Sequence, residues 1–201
     1  MEGGNSMLNL EKSGLFWGCD LPITNEEFST CRTLNLGPNA TMFFSTDQLE
    51  CIYYLDEGVV SFNLSSHKKT KKIYWKCKSL INSFLIFLND YGFQLQTMTD
   101  VTFKVMNAND FKERMRCNNK FLKEVIMYNA YSSYCYINQL SLMCFYDSHA
   151  KLDQFYKAVH EYDTASFEDF ISCGSITQKT IAEALSLHPV TISKAVKNKK
   201  V

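Results

Sequence analysis

The sequence predicts an α+β chain in which short strands come first and helices follow. Three observations carry that reading. From Cys31 to Val105, runs of strand-forming residues recur at close intervals, separated by turn residues. At Asn109-Asp110 the apolar period changes from two to about 3.6, and Phe111 to about Asp147 passes without Pro or Gly. Near the C-terminus, two short amphipathic segments flank a three-residue break, Ser186-Leu187-His188.

Taken in order, Phe16 to Phe28 packs as an N-terminal cap. Thr33-Leu34-Asn35-Leu36 alternates, Gly37-Pro38-Asn39 punctuates, and Met42-Phe43-Phe44 and Glu50 to Leu55 (ECIYYL) follow as strands. Asp56-Glu57-Gly58 is a turn with glycine where a left-handed residue is wanted, and Val59 to Leu64 (VVSFNL) alternates away from it. His67 to Lys72 (HKKTKK) reads as a solvated hairpin tip or a local basic patch, with Lys72 to Cys77 (KIYWKC) as the return strand. Phe84 to Leu88, Phe93 to Met98 and Val101 to Val105 complete the set. Short strands with regular turn signals argue for an all-β sandwich or barrel.

The predicted long helix carries the stripe Ile126, Ala130, Ser133, Ile137, Leu140, Cys144, spaced alternately by four and three. Such a narrow seam with small residues suits close packing against a second copy of the same helix. Against this stands a helix lying only on its own β-domain. A shorter amphipathic piece, Lys151 to Tyr162, follows, and Cys173-Gly174-Ser175 links to the last segment.

That segment is Thr177 to Lys197, TQKTIAEALSLHPVTISKAVK. Ile181, Ala182 and Leu185 give one short helix an apolar face. Pro189 suits the first position of the next, where its missing N–H costs nothing. Ile192, Ala195 and Val196 give that helix an inward face. The pattern is a helix-turn-helix, whose second helix usually lies in the DNA major groove. On its outward side Val190 could pack on a thymine methyl and Lys194 could reach guanine or a phosphate. Thr191 and Ser193 suit phosphate oxygens, and Lys197, Lys199 and Lys200 add positive charge. Ser186 stands where glycine is common; a positive φ there costs about 1 kcal/mol.

The formal net charge is zero, so nucleic-acid affinity must come from a local basic patch. No apolar run approaches the roughly 20 residues that span a bilayer, and the N-terminus lacks a signal-peptide core. A cytoplasmic protein without membrane association is expected. The eight cysteines include no C-x-x-C pair, so no zinc, iron–sulfur or haem cofactor is expected, and most are read as reduced, buried groups. The four histidines (67, 149, 160, 188) form no catalytic set with Ser or Asp at a recognisable spacing, which argues against an enzyme.

The order of elements, together with YYLDEGVVSF (Tyr53 to Phe62) and TQKTIAEALSLHPVTISKAV, resembles the Crp/Fnr family of bacterial transcription regulators. The resemblance covers most of the chain. It implies an effector-sensing β-roll (double-stranded β-helix or jelly roll) over 1–110, a dimerisation helix over 111–147 and a helix-turn-helix DNA-binding domain over 148–201, without an evident wing after the recognition helix. The homodimer would read a near-palindromic promoter site and meet RNA polymerase. Pro189, Val190 and Lys194 match base-reading positions of the family; His188, Thr191 and Ser193 match phosphate-contacting or capping ones. His-x-Val-Thr-x-Ser is closer to the family's regulators of anaerobic metabolism than to its cyclic-AMP receptor. The other reading is a degenerate member that acts through protein partners without productive DNA binding.

The family's cyclic-nucleotide cassette holds a Gly-Glu pair and an arginine that clamps the phosphate. Here Ser79 to Val101 contains no Arg, Lys, Glu or His, only Asp90 and Asp100. An anionic phosphate would lack a counter-charge, so a different effector is expected. Trp75, Phe84, Phe87, Tyr91 and Phe93 suit a pocket for an apolar or aromatic small molecule. Alternatively they fill the roll, and either cysteines such as Cys19 or Cys31 sense redox state or activity is constitutive.

Overall fold

The computed structural model describes residues 16–17, 25–66, 69–75, 79–161 and 178–198. Its strands are β1 (Phe16–Trp17), β2 (Arg32–Leu36), β3 (Thr41–Ser45), β4 (Cys51–Glu57), β5 (Val60–Ser66), β6 (Lys69–Trp75), β7 (Ser79–Leu80), β8 (Gly92–Thr97) and β9 (Val101–Asn107). Among the described residues they form one sheet in the order β1-β6-β5-β8-β3 and a second in the order β2-β9-β4-β7. The helices are α1 (Asn25–Phe28), α2 (Ala108–Cys117), α3 (Asn119–Phe145), α4 (Ser148–Glu161), α5 (Gln178–Leu185) and α6 (Pro189–Asn198).

Side-chain alternation explains how the sheets face each other. In β8, Phe93, Leu95 and Thr97 are buried while Gly92 and Gln94 are exposed; in β9, Val101, Phe103 and Val105 are buried between half-buried Thr102 and Lys104. These inward residues meet Phe44, Leu55, Val60, Phe62, Ile81 and Leu85 in one core. Ile52 and Tyr54 of β4 point the other way. With Met106 they pack on Phe28, Phe111, Phe121, Val125 and Tyr128 of the helices. The second sheet is therefore covered on both sides, and the Tyr128 hydroxyl anchors α3 by donating to Leu80 O at 2.9 Å.

The expected turn at Gly58 is present and passes the chain from one sheet to the other. Gly58 has φ 87°, and a Cβ there would meet Asp100 O at 2.2 Å. No other residue fits that corner without displacing backbone.

Three expectations need correction, one of them the burial of most cysteines: of those described, Cys31 and Cys51 are half-buried and Cys117 and Cys144 exposed. The other two concern the elements. The single helix from Phe111 to about Asp147 is two helices, α2 and α3, broken at Asn118. The Asn118 side chain accepts from Lys120 N at 3.0 Å and Phe121 N at 3.1 Å, an N-cap that starts a new helix. Its amide also donates to Glu27 Oε1 at 3.2 Å, and Glu27 pairs with Arg114 at 2.9 Å. The break thus fastens the helical layer to the N-terminal cap. The last correction concerns Phe84 to Leu88, expected as a strand. Ser83–Phe87 is instead a short 3-10 helix. Before it, the buried Asn82 side chain accepts from Tyr53 N and donates to Cys51 O, taking up strand-edge groups that a longer β7 would have used.

Asp147 separates α3 from α4. Its carboxylate accepts from Ala150 N at 2.9 Å, which holds its pKa below the usual carboxylate value.

Candidate nucleic-acid interface, dimer seam and effector region

The helix-turn-helix has a small core of its own. Ile181, Ala182, Ala184 and Leu185 of α5 and Ile192 of α6 are all buried. Ser186 takes φ 54°, the left-handed value anticipated at that position. Leu187 N then donates to Ala182 O at 2.9 Å, the six-to-one bond of a Schellman helix ending. His188 caps the next helix: its carbonyl accepts from Thr191 N at 2.9 Å, and its Nδ1 accepts from Val190 N at 3.3 Å. Pro189 opens α6, where no N–H is needed.

This packing leaves one side of the motif outward. His188, Pro189, Val190 and Lys194 are exposed, and Thr191 and Ser193 are half-buried. Lys197 lies on α6 with its side chain outside the described residues, as are the side chains of Ala195 and Val196. The motif is tied to the rest of the chain at its turn, where Ser186 Oγ donates to Met143 Sδ at 3.1 Å. Nearby, the buried Lys151 donates from Nζ to Met143 O at 2.7 Å, holding α4 against the end of α3.

Along α3, one face is used by the chain itself and another is not. Phe121, Val125, Tyr128 and Leu142 are buried. Of the predicted seam, Ile126 is 54% exposed, Ile137 60% and Leu140 55%, and Ala130, Ser133 and Cys144 are exposed as well. The Ser133 hydroxyl donates to Asn129 O at 2.8 Å, so it needs no further partner.

The five residues considered for an effector pocket are placed differently from one another. Phe93 is buried at the centre of the roll, stacked on Phe44 at 5.1 Å and on Phe84 at 5.5 Å, with Phe62 edge-on at 4.8 Å. Phe84 also meets Tyr91, which is itself partly exposed. Phe87 is 60% exposed. Trp75 lies on β6 with its side chain outside the described residues. Thus Phe84, Phe93 and Tyr91 form a connected aromatic group and Phe87 points away from the core.

Sequence reasoning missed a polar pair beside this group. Buried Ser83 donates to Asn129 Oδ1 at 3.2 Å, joining the 3-10 helix to α3, and the buried Asn129 Nδ2 finds no partner among the described residues. The signal was a Ser and an Asn within otherwise apolar runs, without any local cue that they would meet. On the outer face of the second sheet, an open groove of about 520 Å³ is lined by Cys31, Arg32, Asp110, Glu113 and Arg114 among others. Burial pushes the Cys31 thiol up, which disfavours the reactive thiolate a redox sensor needs. Cys19 lies outside the described residues. No group of three or more His, Cys, Asp or Glu among the described residues could hold a metal ion, and no described helix is long and apolar enough to cross a membrane.

No protein-family model matches the chain, and no curated protein matches it in sequence. Solved structures do match in shape. FixK2 from Bradyrhizobium japonicum is similar over 84% of this chain and 84% of its own, at 11% identity and a TM-score of 0.68. CLP, a c-di-GMP-responsive global regulator of Xanthomonas campestris, is similar over 88% of this chain and 89% of its own, at 10% identity and a TM-score of 0.69. A protein assigned to the Crp/Fnr transcriptional regulators, from Eubacterium rectale, covers 90% of this chain and 84% of its own, at 12% identity and a TM-score of 0.66. The likeness is one of fold, at 10–12% identity. The chain has the fold of the Crp/Fnr regulators.

Proposed function

We propose that the chain is a homodimeric, DNA-binding transcription regulator of the cytoplasm that reads a near-palindromic promoter site through α6. The observation that carries this reading is the helix-turn-helix. A left-handed Ser186, a Schellman ending and a His188 cap fix the two helices, and the surface left over is the N-terminal part of α6. That part is where a major-groove helix meets base edges. Pro189, Val190 and Lys194 are the base-reading candidates; His188, Thr191, Ser193 and Lys197 cap the helix or contact phosphates. The exposed side of α3, centred on Ile126, Ile137 and Leu140, supports pairing with a second copy, which would present two recognition helices.

The roll is the sensor end in this reading. Its segment from Ser79 to Val101 carries no cation to neutralise a phosphate, so its effector is not a cyclic nucleotide. Phe93, Phe84 and Tyr91 spend much of their surface on one another, which favours a small apolar effector or constitutive activity over a large ligand. RNA polymerase is the partner through which a bound dimer would act. No enzymatic step is assigned.

Selection of bound fragments from random duplex DNA by the purified full-length protein tests the reading. An inverted repeat whose half-sites lie about one helical turn apart is the expected product. Recovery of no shared sequence would overturn it.

A further inference from the structure

The roll carries its charge unevenly. From Thr33 to Ser66 and from Ser79 to Phe103 the sequence holds the acids Asp47, Glu50, Asp56, Glu57, Asp90 and Asp100 and no Lys, Arg or His. Within these cation-free stretches lie four large apolar side chains that the fold leaves in water: Phe43, Phe87, Leu88 and Tyr91. Phe43, on β3, is 71% exposed. It alternates with buried Phe44, so it stands on the outer face of the first sheet, and β3 is the last strand of that sheet among the described residues.

These groups meet at one end of the roll. β3 pairs with β8 so that Ser45 faces Gly92, and the Phe43 ring reaches diagonally across to Gly92, where a Cβ would lie 3.2 Å from Phe43 Cζ. Tyr91 precedes Gly92. Its ring lies 6.2 Å from that of Phe84, and Phe84 and Phe87 stand one turn apart on the same side of the 3-10 helix. An apolar strip therefore runs from Phe43 over Gly92 and Tyr91 to Phe87. Thr46 N donates to Tyr91 O at 2.9 Å, and Tyr91 N donates to Thr46 Oγ1 at 3.2 Å. That pair brings its chain neighbours, Asp47 and Asp90, to the strip. Both are exposed, and neither forms an ion pair among the described residues.

We propose that this strip is a docking surface for a partner protein whose docking segment carries apolar anchors beside Lys or Arg. Aromatic side chains are what such interfaces bury at their centre, and opposite charge at the border steers and selects the partner. The acids also decide against other occupants. The phosphates of DNA or of an anionic lipid surface would be repelled by Asp47 and Asp90, and two copies docked strip to strip would set these acids against each other. The inference goes beyond the DNA-binding reading and does not depend on it.

The test selects peptides from a random phage-displayed library on the purified full-length protein, with counter-selection on a Phe43→Ser/Phe87→Ser variant. Both positions are exposed, so the variant should keep its fold. The recovered peptides should share one or two apolar anchors beside Lys or Arg. A synthetic copy of the commonest should bind the variant at least about tenfold more weakly than wild type. Asp47→Asn/Asp90→Asn leaves the aromatic groups in place; it should weaken the peptide about threefold at low salt, and the difference should vanish at high salt. Three results would overturn the inference: no peptide enriched over the counter-selection, peptides without basic residues, or an Asn variant that binds as wild type does at every salt concentration. Self-association of wild type that the Phe43→Ser/Phe87→Ser variant lacks would assign the strip to a second copy, which also overturns it.

Discussion

The roll interior and the outer side of α3 are both rich in apolar groups, and they are used in opposite ways. Inside the roll, Phe93 is enclosed by Phe44, Phe62 and Phe84, so its surface is already removed from water. On α3, Ile126, Ile137 and Leu140 each leave more than half of their surface in water. Full burial of one such side chain is worth about 1.5–3 kcal/mol. The first region stabilises a single chain; the second holds several kcal/mol that only a partner can release. Apolar surface that a fold does not use on itself points to where it associates.

Five substitutions probe this contrast. Phe93→Ala should cost about 3–5 kcal/mol in chemical denaturation, whereas Phe87→Ala should stay within about 0.5 kcal/mol. Near-neutral Phe93→Ala would mean that the roll interior is an open pocket rather than a filled core. Next comes Ile137→Asp, which places a carboxylate in the proposed seam at a cost of several kcal/mol to association. Sedimentation should report a monomer with unchanged helix content; a surviving dimer would move the interface elsewhere. Lys194→Ala follows, with an expected loss of about 1–3 kcal/mol on the selected site and relaxed preference at one position per half-site. Equal weakening on all duplexes would reassign Lys194 to a phosphate. Last comes Ser186→Gly, which removes the strain of φ 54° and should stabilise the chain by up to about 1 kcal/mol, less whatever the hydrogen bond from Ser186 to Met143 contributes. A lower melting temperature would show that this hydrogen bond outweighs the backbone strain.

What the sequence disclosed and what it concealed follow from the range of the forces involved. The alternation of Phe93 and Leu95, and of Val101, Phe103 and Val105, is local and marks strands before any partner is known. Gly58, Ser186 and Pro189 are equally legible because their backbone demands are set by their own chemistry. The break at Asn118 was not legible. An Asn inside an amphipathic run becomes a cap when a distant group holds it, and Glu27 reaches it across 91 positions. The run SFLIFL has no alternation to separate a buried strand from a buried turn, so the 3-10 helix at Ser83–Phe87 was out of reach. The same holds for the Ser83–Asn129 pair, which exists only because α3 crosses the roll at that height. As for the candidate site, the stripe on α3 and the outward residues of α6 were marked by spacing, and His188 and Pro189 by the family resemblance. The structure adds the exposure of Ile126, Ile137, Leu140, Val190 and Lys194.

The central claim, that two copies joined along α3 place two α6 helices on one face of DNA, is tested most directly by changing the distance between half-sites. Binding of the full-length protein is compared on the selected duplex and on one with about five base pairs inserted at its centre, half of a turn of about 10.5. The insertion turns one half-site to the opposite face of the duplex. A dimer fixed by the seam should then lose one of its two recognition helices, with a fall in affinity of at least a hundredfold and unchanged binding to nonspecific DNA. Equal affinity for both duplexes would contradict the account, because it would mean that each chain reads its half-site alone.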